Sequence, residues 1–302
     1  MVPGSEPWAP VSKSLPCVAR EPVSIGDAGL FVWQFTQPHR EGKPDHRGCV
    51  TTCRAKAAVL VNCAAMDDVT SLIEGLNPDQ RDAVTAEDRH LLVLAGAGSG
   101  KTRVLVHRIA WQIATEQASP FGILAVTFTN KAAAEMRGRI EQLLDMPAGG
   151  MWVGTFHGIA HRLLRQHWQE AGLPQNFEII DADDQQRLIK RVIRELGLDE
   201  QRWPARQATW FINGQKDEGL RAAHMDVAGG DLFLQTMQKI YLAYEEACAR
   251  GGLVDFNEML LRVLELFRDN DDLRGHYQRR FRHILVDEFQ DTNAIQYAWL
   301  RL

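Results

Sequence analysis

The chain has 302 residues, of which 45% are hydrophobic, enough to bury the core of one large or two medium domains. Lys and Arg number 34 and Asp and Glu number 39, so the net charge of -5 argues against a protein that coats nucleic acid through bulk positive charge. The sequence has no apolar run of the roughly 20 residues that a membrane span needs, and no secretory signal pattern at its start. Five cysteines in a chain of this length do not indicate a disulfide framework, and a cytoplasmic protein is expected.

The first 65 residues differ in character from the rest of the chain. They are rich in Pro and Ser and have no sustained apolar period, which predicts a disordered or misannotated N-terminal extension over residues 1–65. Met66 then opens "MDDVTSLIEGLNPDQRDAV", which is typical of a natural start. Cys49, Cys53 and Cys63 could in principle hold zinc, but their spacing matches no standard ligand pattern and a metal-free tail is favoured.

From Met66 onward, short apolar strands alternate with helical patterns. The predicted strands are "LLVL" (91–94), "ILAVTFT" (123–129), "MWVGTF" (151–156) and "HILV" (283–286). Helices are predicted after the first three strands, at about 101–113, 130–144 and 157–168, with Asn130 as the N-cap of the second. This alternation predicts an α/β fold, a parallel sheet with helices on both faces, and Trp152 within a strand is assigned to the core.

Between about residues 158 and 280 the strand patterns largely stop. Helical patterns cover 181–197, 231–250 and 255–267. In the second of these, Leu234, Met237, Tyr241, Tyr244 and Cys248 recur at spacings of three and four, which predicts a core-facing stripe with a buried, unreactive cysteine. The sequence therefore predicts an all-helical subdomain inserted into the α/β domain.

The stretch "AGAGSGKT" (95–102) fits the phosphate-binding loop pattern. Residues without side chains allow consecutive backbone N–H groups to surround a phosphate, and the following helix N-terminus adds its positive dipole. Lys101 would reach the β- and γ-phosphates, and the Thr102 hydroxyl would ligate Mg²⁺. The alternative is a Gly-rich turn between strand and helix, which the Lys-Thr pair at the correct offset disfavours.

A second motif, "ILVDE", places two carboxylates after an apolar strand. Ligands bind at the carboxyl ends of strands in open α/β sheets, so Asp287 would hold Mg²⁺ and Glu288 would act as general base toward the attacking water. The structural alternative is a pair of surface acids that cap the next helix.

Several longer segments resemble superfamily 1 DNA helicases of the UvrD/Rep/PcrA family. "LAGAGSGKT" resembles motif I of the family, "TFTNKAAAEM" (127–136) motif Ia, "GTFH" (154–157) motif Ib, "VDEFQDTN" motif II and "LNPDQRDAV" (76–84) its glutamine motif. "GLVDF" (252–256) is a further familiar segment. The resemblance is continuous from about Met66 to Leu302, and several motifs in the right order make it specific.

The resemblance implies a role for each matching residue. Gln80 would contact the adenine of ATP, and Gln290 would sense the γ-phosphate. The remaining nucleotide contacts would come from Ala97, Gly98, Ser99, Gly100, Lys101, Thr102 and Arg103. Phe128, Asn130 and His157 would line a groove for single-stranded DNA, where an aromatic ring can stack on a base. Alone, Phe128 would more often be a core residue, and its place in the motif favours the groove.

The family also implies an overall function and organisation. Residues 66–157 and 281–302 would form a RecA-like P-loop NTPase domain, called 1A, and 158–280 the helical subdomain 1B. The activity would be ATP-dependent 3'-to-5' DNA unwinding in DNA repair, on single-stranded DNA and its junctions with duplex, with Mg²⁺ as cofactor and repair proteins as partners. The family motor has a second RecA-like domain beyond the motifs found here, so we expect weak turnover from these 302 residues alone. The alternatives are a non-hydrolysing ATP- and DNA-binding module or a non-functional gene fragment.

Overall fold

A computed structural model describes residues 33–36, 69–87, 90–96, 98–227 and 231–302. The zinc alternative for Cys49, Cys53 and Cys63 and most of the predicted extension over 1–65 lie outside the described residues. Within the described residues, no helix is long and apolar enough to cross a membrane. The same part of the chain contains no group of three or more His, Cys, Asp or Glu side chains arranged to hold a metal ion.

The central sheet has five strands in the order β2-β1-β7-β3-β4. The strands are β1 (Trp33–Thr36), β2 (Leu91–Leu92), β3 (Ile123–Thr127), β4 (Trp152–Thr155) and β7 (His283–Val286), and a separate parallel pair is formed by β5 (Glu178–Ile179) and β6 (Leu253–Val254). Strand β3 pairs in parallel with β4 and β7, whereas β1 is antiparallel to β2 and β7. Strands β2, β7, β3 and β4 therefore all run in the same direction, and β1 runs against them.

The α-helices of the described residues lie between these strands along the chain, except α11, which follows the last strand. They are α1 (Ser71–Glu74), α2 (Pro78–Thr85), α3 (Lys101–Ala114), α4 (Asn130–Leu144), α5 (Phe156–Gln166), α6 (Ala182–Glu195), α7 (Ala205–Asp217), α8 (Leu232–Gly251), α9 (Phe256–Asp269), α10 (Asp271–Arg280) and α11 (Ala294–Arg301).

Helices cover both faces of the sheet, as the sequence predicts. All five residues of β3 are buried, and successive side chains enter different cores because strand side chains alternate between faces. Ile123 and Ala125 pack with α3 and α4, whereas Leu124 and Val126 pack with α5, α9 and α11. Trp152 is 1% exposed, which confirms its assignment to the core.

Besides differences of one or two residues at the ends of β3, β4 and α5, the structure differs from the sequence predictions at three places in the α/β part. The N-cap of α4 is Thr129, whose Oγ1 accepts a hydrogen bond from the Ala132 N–H, and Asn130 is the first helical residue. Strand β2 ends at Leu92, two residues earlier than predicted. Strand β1 falls inside the segment predicted to be disordered, and it adds an antiparallel member to a sheet expected to be parallel.

The helical segments divide between two cores. Helices α5, α9 and α10 share a core with the sheet, whereas α6, α7 and α8 form a core of their own with Ile180 and Trp203. In α8, Met237, Tyr241, Tyr244 and Cys248 are buried and Leu234 is half-buried, so the predicted stripe is largely confirmed. The boundary of 158–280 for a helical subdomain stays a prediction, since packing segregates a shorter segment.

A buried ionic network joins α7, α8 and α9. The Lys216 ammonium lies 2.6 Å from the Asp255 carboxylate and 2.8 Å from that of Glu258, and Arg221 contacts Glu258 at 2.8 Å. Burial alone would lower the pKa of Lys216, but the carboxylates of Glu258 and Asp255 raise it above its usual value. The Tyr244 hydroxyl also donates to Asp255 at 2.7 Å. These paired charges fix the start of α9 against the helical block.

The N-cap of α4 gives a direct stability test. We expect Thr129→Ala to lower the free energy of unfolding by about 1 kcal/mol, because the Ala132 N–H loses its acceptor. The matched variant Asn130→Ala should change stability by less than about 0.5 kcal/mol, since Asn130 is an exposed first-turn residue. Urea denaturation followed by circular dichroism measures both. The reverse order of effects would contradict the assignment of the cap.

Candidate nucleotide-binding and DNA-binding site

The residues singled out by the sequence motifs gather at one edge of the sheet. Because β2, β7, β3 and β4 run in the same direction, their carboxyl ends lie together. The glycine-rich loop follows β2, Asp287 follows β7, Phe128 follows β3 and His157 follows β4. One edge therefore carries both the candidate nucleotide site and the candidate DNA site.

The loop between β2 and α3 is shaped by backbone conformations that favour glycine. Gly98 has φ 75° and Gly100 has φ 83°, in the left-handed region. Within the loop, the Ser99 N–H and Oγ both donate to the Gly96 carbonyl, at 3.3 and 2.7 Å. Helix α3 then begins at Lys101, so its free N–H groups face the loop. Ala97 lies outside the described residues, and its predicted role stays a prediction.

Gln80 is held against this loop. Its Nε2 donates to the Ser99 carbonyl at 2.9 Å, and its Oε1 accepts from the Asn77 N–H at 3.2 Å in the capping box of α2. A Cβ atom added at Gly100 would lie 2.9 Å from Gln80 Nε2. The side chain therefore ties α2 to the loop, while its predicted contact with adenine stays a prediction.

The two main motifs meet across the sheet edge. Thr102 Oγ1 donates to Asp287 Oδ2 at 3.4 Å, although 185 positions separate the two residues along the chain. The positive charge of Lys101 also lies close enough to favour the ionised form of Asp287. The structure thus brings Lys101, Thr102 and Asp287 together, as the sequence analysis requires.

Asp287 has the chemistry expected of a ligand for a hard cation. It is 3% exposed, and burial followed by the charge of Glu288 raises the pKa of its carboxyl. Its Oδ1 is buried with no hydrogen-bond partner among the described residues. An unpartnered carboxylate oxygen beside a threonine hydroxyl fits Mg²⁺, which prefers oxygen ligands. Asp287 and Thr102 are therefore the residues that would hold this ion.

Glu288 and Gln290 form a tight local pair. Glu288 has φ 52°, an uncommon conformation for a residue with a side chain, and it precedes the short 3-10 turn Phe289–Asp291. Gln290 Nε2 donates to Glu288 Oε2 at 2.7 Å. The predicted catalytic carboxylate and the predicted γ-phosphate sensor therefore contact each other directly.

Arg103 forms a hydrogen bond outside the loop. Its Nη2 donates to the Gly75 carbonyl at 2.8 Å, at the end of α1. The side chain thus joins α3 to α1, and its predicted assistance to the nucleotide stays a prediction.

The predicted DNA-contacting residues lie at the ends of neighbouring strands. Phe128 is partly buried and meets Phe156 edge-to-face at 5.9 Å between ring centroids. Asn130 is exposed at the start of α4. His157 is half-buried, and burial lowers its pKa, against the opposing effects of Asp217 and of a hydrogen bond with the Phe256 backbone. Burial therefore favours the neutral form of the His157 ring.

Phe256 joins this surface and was not assigned a role from the sequence. Its ring is 49% exposed and lies 5.7 Å from the His157 ring, centroid to centroid. It occupies the first position of α9, after Asp255, whose side chain caps the helix. The sequence marks "GLVDF" only as a segment familiar from the family, and the structure places its phenylalanine beside His157.

Asp217 connects the two halves of the site. Its Oδ1 accepts hydrogen bonds from Asn257 Nδ2 at 2.9 Å and from Asn293 Nδ2 at 3.0 Å. Asn293 caps α11 and is the last residue of the motif that carries Asp287, and Asn257 follows Phe256. A single carboxylate therefore links the nucleotide side of the edge to the aromatic side.

This geometry is that of a candidate P-loop nucleotide-binding site. A glycine-rich loop leads into a helix that begins with Lys101 and Thr102, and Asp287 lies at the end of a nearby strand. Residues 76–302 match the UvrD/REP helicase N-terminal domain, and the chain belongs to this helicase family.

Among similar proteins, the DNA helicase II of Escherichia coli is 62% identical over 235 residues, which cover 78% of this chain and 32% of that protein. The DNA helicase II of Haemophilus influenzae is 55% identical, with 78% of this chain and 33% of that protein covered. The ATP-dependent DNA helicase PcrA of Bacillus subtilis is 39% identical, over 76% of this chain and 31% of that protein. The chain spans about a third of the length of these relatives.

The geometry of the loop gives a second testable prediction. We expect Gly100→Ala to weaken ATP binding by about tenfold, since a left-handed residue with a Cβ costs about 1 to 2 kcal/mol. The new Cβ would also displace Gln80. Gly138→Ala in α4 is the matched control, because it lies outside the loop and a Cβ there has no heavy atom within 4 Å. Titration with a fluorescent ATP analogue measures both, and equal affinities in the two variants would contradict this account of the loop.

Proposed function

We propose that this chain supplies the ATP-binding part of an ATP-dependent 3'-to-5' DNA helicase that translocates on single-stranded DNA and unwinds duplex in DNA repair. The observation that carries the proposal is the contact between Thr102 and Asp287, which unites the loop with the acid of the second motif. Family membership supports the class of reaction. Direction of movement and the repair context follow from the resemblance to the family.

The proposed ATP site uses side chains already positioned at the sheet edge. Lys101 would bind the β- and γ-phosphates at the start of α3, where backbone N–H groups and the helix dipole also favour negative charge. Thr102 and Asp287 would hold Mg²⁺, which supplies neutralisation of the phosphate charge. Glu288 would accept the proton of the attacking water as general base.

The pairing of Gln290 with Glu288 suggests how hydrolysis is coupled to nucleotide binding. With Gln290 Nε2 on Glu288 Oε2, one carboxylate oxygen is already engaged. A γ-phosphate that draws the Gln290 amide toward itself would leave that oxygen available to the water. Gln290 would therefore act both as a phosphate contact and as a control on the base.

The proposed DNA groove lies along the ends of β3 and β4. Phe128, His157 and Phe256 offer aromatic faces, and stacking on a base is tolerant of sequence. Asn130 is exposed beside them and would contact the backbone of the strand. We further propose that 66–157 and 281–302 form a RecA-like domain 1A and 158–280 a helical subdomain 1B. The separate core of α6, α7 and α8 supports a helical unit within 158–280, whereas α9 and α10 pack with the sheet.

The ATP site is tested by two substitutions with different expected outcomes. Lys101→Ala should abolish the increase in melting temperature that Mg-ATP gives, because binding to the folded state is lost. Glu288→Gln should keep that increase but slow single-turnover phosphate release by about 10² to 10⁴. Phosphate release is measured with single-stranded DNA present. A wild-type rate of phosphate release in the Glu288 variant would contradict the assignment of Glu288 as the general base.

The DNA groove is tested through its most exposed aromatic residue. Phe256→Ala should weaken binding of a single-stranded oligonucleotide by about 5- to 100-fold, given about 1 to 3 kcal/mol per stacked base. Trp210→Ala is the matched control, since Trp210 is 78% exposed on α7 and has no assigned contact with DNA. Fluorescence anisotropy measures the affinities. Equal losses in both variants would argue against a groove at Phe256.

A further inference from the structure

A second concave surface lies at the opposite edge of the sheet, at the amino ends of β3 and β7. This basic cavity has a volume of about 510 Å³ and is lined by Ser119, Phe121, His276, Arg279, Arg280 and Arg282, among others. His283, the first residue of β7, also lines it, whereas Asp287 follows the other end of that strand. The two sites are therefore about 13 Å apart along the strand.

Positive charge is concentrated around the basic cavity. Three arginines lie within positions 279–282, and the guanidinium groups of Arg162 and Arg280 lie 4.0 and 5.2 Å from the Trp152 ring centroid. Among the described residues, no carboxylate is within salt-bridge distance of Arg162, Arg279 or Arg280. Burial, followed by the charges of Arg280 and Arg137, lowers the pKa of Arg162. A chain of net charge -5 thus keeps a group of mutually repelling cations here.

The guanidinium at the centre of this group is held in place. Arg280 Nε donates weakly to the Phe121 carbonyl at 3.5 Å, and the guanidinium lies over the rings of Trp152 and Phe281 at 5.2 and 5.5 Å. A cation that is already ordered loses little freedom when it binds an anion. The geometry therefore suits recognition better than a freely moving surface arginine would.

An aromatic ring stands beside these cations. Phe121 is 59% exposed, although exposed phenylalanine in water is unfavourable. Its ring is packed close to the backbone, since a Cβ added at Gly150 would lie 2.3 Å from Phe121 Cε1. An exposed and fixed aromatic face next to guanidinium groups is the pairing that binds a nucleotide, by stacking on the base and neutralising the phosphate.

A purely structural role accounts for part of this arrangement. Arg279 and Arg280 lie in the last turn of α10, where positive charge interacts favourably with the helix dipole. That role does not extend to the exposed ring of Phe121, which lines the same cavity. A ligand with both a phosphate and a planar ring accounts for all of these features together.

We propose that the basic cavity is a binding site for nucleotide phosphate, distinct from the nucleotide and DNA contacts at the other edge of the sheet. The chemistry fits either a nucleotide unit of a DNA strand or a free mononucleotide. The inference rests on the proposed function for its first source, since a DNA helicase would hold a DNA strand while the chain acts on it. A DNA strand bound at both edges of the sheet would contact the domain on two sides.

The test measures binding of a fluorescein-labelled single-stranded 20-mer to the 302-residue chain over a series of KCl concentrations. The double variant Arg279→Ala/Arg282→Ala should lose several-fold in affinity. The slope of log affinity against log salt should decrease in magnitude by about 1.4, because each phosphate contact on a single strand contributes about 0.7. The charge-matched control is Arg139→Ala/Arg250→Ala, since both residues are exposed members of i,i+4 pairs elsewhere. It should keep the wild-type slope.

Two further variants separate charge, ring and fold. Arg279→Lys/Arg282→Lys should restore most of the slope, since it keeps the charges, and thermal melting confirms that each variant is folded. Phe121→Ala should weaken binding and leave the slope unchanged, because stacking releases no counterions. A wild-type slope and affinity in the folded Arg279/Arg282 double alanine variant would overturn the DNA source.

A second arm distinguishes the free nucleotide. Calorimetry with thymidine monophosphate should show binding that the double alanine variant loses and that Lys101→Ala keeps, if a mononucleotide is the ligand. Wild-type behaviour of the double variant toward both ligands would overturn the proposal altogether. That result would leave the proposed function standing, because Phe256→Ala and Lys101→Ala report on the other edge independently.

Discussion

The hydrogen bond between Thr102 and Asp287 depends on the direction of two strands. Both residues follow strands that run the same way, so a helix start and a strand end meet at one edge although 185 positions separate them. Had β2 and β7 run in opposite directions, the loop and the acid would lie at opposite ends of the sheet. The hydrogen bond from Gln80 to the loop lies on one side of this contact, and the pair formed by Glu288 and Gln290 lies on the other.

Buried charge positions the aromatic side of the same edge. Asp255 caps α9 through its Oδ1 and receives Lys216 and Tyr244 on its Oδ2, so this one carboxylate fixes where the helix begins. Phe256 is the next residue. Because the helix start is fixed, the backbone of Phe256 is held where its exposed ring contacts His157. A buried ion pair is weak evidence for net stability, because desolvation offsets its attraction. Its clearer consequence here is the position of the helix start, which places a ring where a base could stack.

The two edges of the sheet differ in chemistry for a reason that follows from its topology. At the carboxyl ends, helix N-termini and one buried acid suit a phosphate with a bound cation. At the amino ends, the C-terminal turn of α10 lies next to the exposed Phe121, and arginines are favoured in such a turn by the helix dipole. Helix direction thus places backbone N–H groups at one edge and guanidinium groups at the other, and both are groups that can bind phosphate.

The sequence by itself determined the local elements. Periodicity and turn residues are patterns of neighbouring positions, and they predict elements one at a time. They predicted the glycine-rich loop, the strand before Asp287, the helix over 130–144 and the buried stripe in α8. The motifs also predicted that Thr102 and Asp287 meet, whereas only the tertiary structure decided which other distant groups do. Three arrangements depend on contacts between segments far apart in the chain. They are the contact of Phe256 with His157, the placing of Arg162 and Arg280 over the Trp152 ring, and the antiparallel pairing of β1. Such pairings arise from shape and burial in three dimensions, which no short-range pattern encodes.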